Sequence, residues 1–137
     1  MLVVDDDTTV AGMFQRYFDT AGYDVDVAST VPDAIRLAGQ QLYAAALLDL
    51  RLRPGGGTAD GLSLLQRLRT NHPALVILVL TAFADARTTD DALALGADRV
   101  LQKPQPLRDL VAILERTFEL RAAKASSAAS VTAVGLH

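Results

Sequence analysis

Apolar residues follow two alternating rhythms along the chain. Short uninterrupted runs (Leu2–Val4, residues 44–48, residues 75–80) stop at Asp5, Asp49 and Thr81, while the stretches between them repeat their apolar positions every three or four residues. The first kind reads as strand and the second as amphipathic helix. In residues 8–21, Val10, Met13, Phe14, Tyr17 and Phe18 share one helical face, and Gly22 closes the helix. Residues 23–28 alternate polar and apolar, the pattern of a half-exposed strand. Ser29 and Thr30, followed by Pro32 and Asp33, mark a helix start that Ala34, Ile35, Leu37 and Ala38 continue. The run 44–48 is a strand covered on both faces.

Residues 51–60 are rich in Gly and Pro and form a loop. Leu62, Leu64, Leu65 and Leu68 then carry a helix over residues 61–71, which Pro73 breaks. Residues 75–80 are the most apolar stretch and predict a central strand ending on Thr81. A helix of weak periodicity over 86–95 is closed by Gly96, and Arg99–Gln102 is a short strand ending on Lys103-Pro104. Leu110, Val111, Ile113, Leu114, Thr117 and Phe118 predict a final helix over 107–120. Strands and helices in alternation give an α/β fold with a parallel sheet, and right-handed crossovers put helices on both faces.

The length of 137 residues suits one domain. A formal net charge of −3 and the lack of any Lys/Arg-rich block argue against a nucleic-acid contact. The absence of cysteine excludes a disulfide framework and Cys-ligated zinc, and fits a reducing compartment. No apolar run approaches the ~18–20 residues that span a bilayer, and Met1–Val4 is too short for a signal peptide. The expectation is a soluble, cytoplasmic domain over residues 1–121. Residues 122–137, rich in Ala and Ser, follow as a tail or as a linker to an output domain.

Carboxylates that end buried strands make little sense as packing, because acids are seldom buried unless paired or bound to a cation. In an open parallel sheet, ligands bind beyond the carboxyl ends of the strands. Asp5 and Asp6, Asp49, Thr81 and Lys103 all stand at such ends. Clustered carboxylates raise one another's pKa unless a cation intervenes, and an all-oxygen set suits Mg²⁺. A carboxylate can act as nucleophile and become an aspartyl phosphate. An ammonium and a metal ion would stabilise phosphoryl oxygens in transit.

Five segments in order carry a family likeness: Leu-Val-Val-Asp5-Asp6-Asp7, Leu-Leu-Asp49-Leu-Arg-Leu, Asp60-Gly61-Leu62, Leu-Thr81-Ala82 and Gln-Lys103-Pro104. With them the chain resembles the receiver domain of two-component response regulators, from Leu2 to about Leu120. The resemblance implies a flavodoxin-like fold of five βα units with strand order 2-1-3-4-5. It makes Asp49 the phosphoacceptor, served by a phosphohistidine on a sensor histidine kinase or a histidine phosphotransfer protein. It assigns Mg²⁺ to Asp5, Asp6, Asp49 and the Arg51 backbone carbonyl, and the phosphoryl oxygens to Thr81 and Lys103. A cis Lys103–Pro104 bond would aim the lysine. Such a domain catalyses only its own phosphoryl transfer and dephosphorylation, so it is not an enzyme in the ordinary sense. Its switching face, built from the fourth helix, fifth strand and fifth helix, also offers a homodimer contact.

Other readings are weaker. Asp7 is better placed as a helix cap than as a ligand. The run Gly55-Gly56-Gly57 fails as a phosphate loop, since neither a third glycine nor a lysine stands at the required spacing. His72 and His137 have no partner in sequence. A phosphatase of the haloacid-dehalogenase type needs a second Asp where Arg51 stands. The remaining rival is a degenerate receiver that binds partners without phosphorylation, and two departures favour it. The Asp49-to-Gly61 segment is long for the family. Val100 stands where an inward-turning aromatic is common, so coupling must run through Thr81 and the loop after it.

Overall fold

The computed structural model describes residues 1–53 and 55–135, with side chains described no further than Ser126. Leu136 and His137, the end of the expected tail, lie outside them. Along the chain run β1 (Leu2–Val4), α1 (Thr8–Thr20), β2 (Asp26–Ala28), α2 (Val31–Gln40), β3 (Ala45–Leu48), α3 (Ala59–Asn71), β4 (Val76–Thr81), α4 (Ala86–Ala94), β5 (Arg99–Gln102) and α5 (Leu107–Gly135). All strand pairs are parallel, in the order β2-β1-β3-β4-β5. The fold class and strand order are those expected.

The continuous apolar strands are explained by two cores, one on each face of the sheet. Leu2, Val4, Ala46, Leu48, Ile77 and Val79 point into the core covered by α2, α3 and α4. Val3, Ala45, Leu47, Val76, Leu78 and Leu80 alternate with them and pack on Phe14, Phe18, Leu110 and Leu114 of α1 and α5. Successive strand residues face opposite ways, so a strand buried on both sides has no position left for a polar side chain until it ends. That is why the first polar residues come together at the carboxyl edge.

Local chemistry sets the helix starts. Asp7 caps α1 by accepting from the Thr9 and Val10 amides at 3.0 and 3.2 Å, as its sequence position predicts. Thr30 Oγ1 accepts from the Asp33 amide at 3.2 Å to start α2, and Asp85 Oδ1 accepts from Thr88 at 2.7 Å to start α4.

Three elements differ from the sequence expectation. The second strand begins at Asp26 rather than residue 23, because the Tyr23 amide donates back to the Phe18 carbonyl (3.0 Å) and is unavailable to the ladder. The third helix starts at Ala59, two residues before Gly61, and brings Asp60 into its first turn beside Arg53. The last helix does not end near Leu120 but continues through the Ala/Ser-rich stretch to Gly135. Alanine is the best helix former, and that run holds no proline.

Gly61 is required by a close approach. A Cβ there would lie 2.3 Å from both Cα and the carbonyl oxygen of Leu50. The start of α3 therefore rests directly on the backbone just after Asp49. Among the described residues no helix is long and apolar enough to cross a membrane.

Candidate functional site

The hydrogen-bond ladder runs on past the strands and carries the polar residues into register. The Asp5 amide donates to the Ala28 carbonyl at 3.1 Å, the Asp49 amide to Val4 at 2.9 Å, and the Lys103 amide to Thr81 at 2.8 Å. Because β1 lies next to β3, Asp5 and Asp49 come side by side. Oxygens of Asp5, Asp6 and Asp49 lie within 4.8 Å of one another. Asp5 and Asp49 are buried, and Asp6 is half-buried.

Lys103 reaches back across the edge. Its Nζ donates to Asp5 Oδ2 at 3.1 Å and to Asp49 Oδ2 at 3.0 Å. The peptide bond that follows it, Lys103–Pro104, is cis, as expected. Asp5 Oδ1 accepts from the Asp7 amide at 2.9 Å and Asp49 Oδ1 from the Arg51 amide at 3.2 Å. Each buried carboxylate thus has one oxygen on a backbone amide and the other on the ammonium.

The electrostatics remain unbalanced. Burial raises the Asp49 pKa above its ordinary value; Lys103 pulls it back, Asp5 pushes it up again, and the net shift is upward. Burial also pulls the Lys103 ammonium down, but Asp49 and Asp5 together outweigh it and leave its pKa raised. One cation among three acids does not compensate the cluster, and an all-oxygen donor set of this spacing fits a hard divalent ion.

Thr81 ends β4 fully buried, and its Oγ1 accepts from the Phe83 amide at 3.3 Å. The structure thus gathers Asp5, Asp6, Asp49 and Lys103 into one cluster and sets Thr81 on the adjoining strand end. Arg51 enters the cluster by its backbone amide, while its guanidinium lies 3.9 Å from the centroid of the Phe83 ring. His72 sits at the opposite end of the sheet, where its amide closes α3.

Two contributors were not recognised in the sequence. Phe83, an exposed aromatic, joins the loop after β4 to the loop after β3 by stacking on Arg51. Its only sequence signal is position, two residues past Thr81 as Arg51 is two past Asp49. Gln102 clips the same loop: Nε2 donates to the Ala82 carbonyl at 2.6 Å, and Oε1 accepts from the Ala84 amide at 2.9 Å. Val100, where no aromatic switch is available, packs half-buried on the core beneath α4.

The family model described as "Response regulator receiver domain" matches residues 1–115. The chain is 34% identical over 104 residues to the alginate biosynthesis transcriptional regulatory protein AlgB of Pseudomonas aeruginosa, covering 76% of this chain and 22% of that protein. It is 30% identical over 118 residues to the transcriptional regulatory protein ZraR of Escherichia coli, covering 86% of this chain and 26% of that protein. The chain therefore spans about a quarter of the length of these relatives. Among solved structures, a response regulator protein from Burkholderia pseudomallei with a phosphorylated aspartic acid, calcium ion and citrate superimposes with a TM-score of 0.76. It is 35% identical, covering 92% of this chain and 72% of that one. A CheY-like receiver domain protein from Methanospirillum hungatei gives a TM-score of 0.79 at 28% identity, covering 89% of this chain and 95% of that one.

Proposed function

The chain belongs to the response regulator receiver family, and from that premise we propose that Asp49 is the phosphoacceptor of a Mg²⁺-dependent switch in two-component signalling. The observation that carries the reading is the cluster itself: three carboxylates with oxygens within 4.8 Å, and one lysine bridging two of them. A related protein that carries a phosphorylated aspartic acid and a calcium ion supports both the nucleophile and the cation.

In the transfer, an Asp49 oxygen attacks the phosphorus of a phosphohistidine on a sensor kinase or phosphotransfer protein. The P–N bond breaks as the P–O bond forms, and the electron pair leaves with the imidazole. Asp5, Asp6, Asp49 and the Arg51 carbonyl would hold Mg²⁺, which supplies charge neutralisation for the phosphoryl oxygens. Lys103 is positioned to exchange its bond to Asp49 for one to a phosphoryl oxygen while keeping its bond to Asp5. Thr81 Oγ1 then turns from the Phe83 amide to donate to another phosphoryl oxygen.

That turn releases one hold on the loop that Gln102 clips to β5. The change passes to the face formed by α4, β5 and α5, a bias of an existing equilibrium rather than a new fold. This face is the surface offered to a target or to a second copy. The domain acts in the cytoplasm and catalyses only its own phosphorylation and dephosphorylation.

The test is intact mass after incubation with Mg²⁺ and acetyl phosphate, beside Asp49→Asn. A Mg²⁺-dependent phosphoryl adduct on the wild type alone is expected. An adduct on the variant sinks the assignment of Asp49, and no adduct on either folded protein favours a phosphorylation-independent interaction module.

A further inference from the structure

The amino end of the sheet, opposite the Asp49 cluster, carries a second polar assembly. Asp98, between α4 and β5, accepts from Arg69 Nη2 at 3.1 Å, from Arg121 Nη1 at 2.9 Å and from the Ile77 amide at 2.8 Å. Arg69 also donates to the carbonyls of Gly96 (2.9 Å), Pro73 (2.9 Å) and Leu75 (2.7 Å). Arg121, from α5, reaches Pro73 at 2.9 Å and Leu75 at 3.2 Å. The carboxylate is saturated, and both guanidiniums are held in place.

Beside this assembly opens a groove of about 780 Å³. Ala74, Leu120, Ala122 and Ala125 give it an exposed apolar lining, and Arg99 and Lys124 line it as well. Arg121, Ala122, Lys124 and Ala125 of α5 line one side. Arg99 and Lys124 are exposed, and among the described residues neither takes part in an ion pair. The lining holds four cations and one already saturated carboxylate, in a chain whose formal net charge is −3.

A single exposed cation is ordinarily just solvated. Two exposed cations that share a groove with apolar side chains are a different case, because the apolar lining selects apolar side chains and the cations select carboxylates. A nucleic-acid backbone fits less well, since it would lay phosphates on alanine and leucine. We propose that this groove docks an acidic amphipathic segment of a protein partner, with apolar side chains on Leu120 and the alanines and carboxylates on Arg99 and Lys124. The proposal does not rest on Asp49 being phosphorylated.

The test is amide chemical-shift mapping of the full chain against a helical peptide of Glu, Ala and Leu with leucines at i, i+4 and i+7. The same peptide with Lys for Glu serves as control. Expected shifts centre on residues 96–100 and 117–124, fade with salt, and are absent with the Lys peptide. Arg99→Glu with Lys124→Glu should weaken binding about tenfold, with a thermal melt equal to wild type. Leu120→Ser, which leaves the charges intact, should weaken it several-fold.

Equal binding of the Lys peptide, shifts elsewhere, or no shifts at all would overturn the proposal. Peptide-free, concentration-dependent shifts of the same amides with a doubled mass would assign the groove to a second copy instead. Duplex DNA that moves these amides where the Glu peptide does not would assign it to nucleic acid.

Discussion

At the amino end of the sheet one carboxylate, Asp98, meets two guanidiniums and a backbone amide. At the carboxyl end three carboxylates meet one ammonium. Both assemblies are partly buried, and both are built from side chains that α/β topology brings to a strand terminus. In the first, the excess is one guanidinium, and both guanidiniums also donate to backbone carbonyls of Pro73 and Leu75, so the assembly acts as a clamp joining α3, β4, β5 and α5. In the second, every buried polar atom has a partner, yet the charge is not balanced, and Asp49 is held above its ordinary pKa. Satisfied geometry with excess negative charge is what the proposed cation would relieve. A carboxylate shared by two guanidiniums that backbone carbonyls also hold marks a fastening.

Breaking the fastening should have the largest effect. Asp98→Ala leaves two half-buried guanidiniums and the Ile77 amide without their shared acceptor, and should cost about 3–5 kcal/mol. Denaturant unfolding measures it, and a loss below about 1 kcal/mol would mean the clamp is ornamental.

Divalent cation should reverse the imbalance at the other end. Mg²⁺ at a hundredfold excess over its dissociation constant should add about 2.7 kcal/mol to the wild type, read as a rise in Tm. The rise should shrink sharply in Asp49→Asn. Equal shifts in both proteins would place the ion elsewhere.

Without divalent cation, Asp49→Asn should stabilise the protein, by about 1 kcal/mol, because the environment opposes the charge it removes. The sign with pH follows from the raised folded pKa. Below the ordinary carboxylate value of 3.8, Asp49 is protonated folded or unfolded, so the variant gains nothing. As pH rises through the folded pKa its advantage grows, then levels off. Paired melts from acid to neutral pH check this, and an advantage that falls with rising pH would contradict the upward shift. Lys103 acts in the opposite sense. Its raised pKa contributes stability that is complete below its ordinary value and lost as pH rises through the folded one.

The smallest effect belongs to an exposed pair at the functional end. Arg53 Nε lies 2.6 Å from Asp60 Oδ2, but the Arg53 side chain is 73% exposed. Arg53→Ala should change stability by less than about 0.5 kcal/mol, while any change in phosphate lifetime would show that the long loop controls access to Asp49.

How much was legible before the fold differs between the two ends. The carboxyl cluster could be read because Asp5, Asp49 and Thr81 are the first polar residues after apolar strands, Asp6 and Lys103 also follow strand ends, and parallel topology sends all such positions to one edge. Asp7 as a cap and the cis Lys103–Pro104 bond followed from neighbouring residues or from the family likeness. The clamp could not be read. Arg69 and Asp98 lie 29 residues apart and Asp98 and Arg121 lie 23 apart, and each looks like an ordinary surface charge. The stacking of Arg51 on Phe83 was hidden for the same reason, and the length of α5 because Ala/Ser composition suits a linker as well as a helix.

By itself, then, the amino-acid order determined the alternation of strands and helices, the parallel sheet and the Asp5, Asp6, Asp49, Thr81 and Lys103 constellation. Hydrophobic periodicity and strand-end polarity are local, and a parallel sheet converts them into a place. Only the tertiary structure decided that Asp98 serves two arginines, that Gly61 must admit the backbone of Leu50, and that α5 runs on to wall a groove. These depend on distances between segments far apart in the chain, which no local pattern encodes.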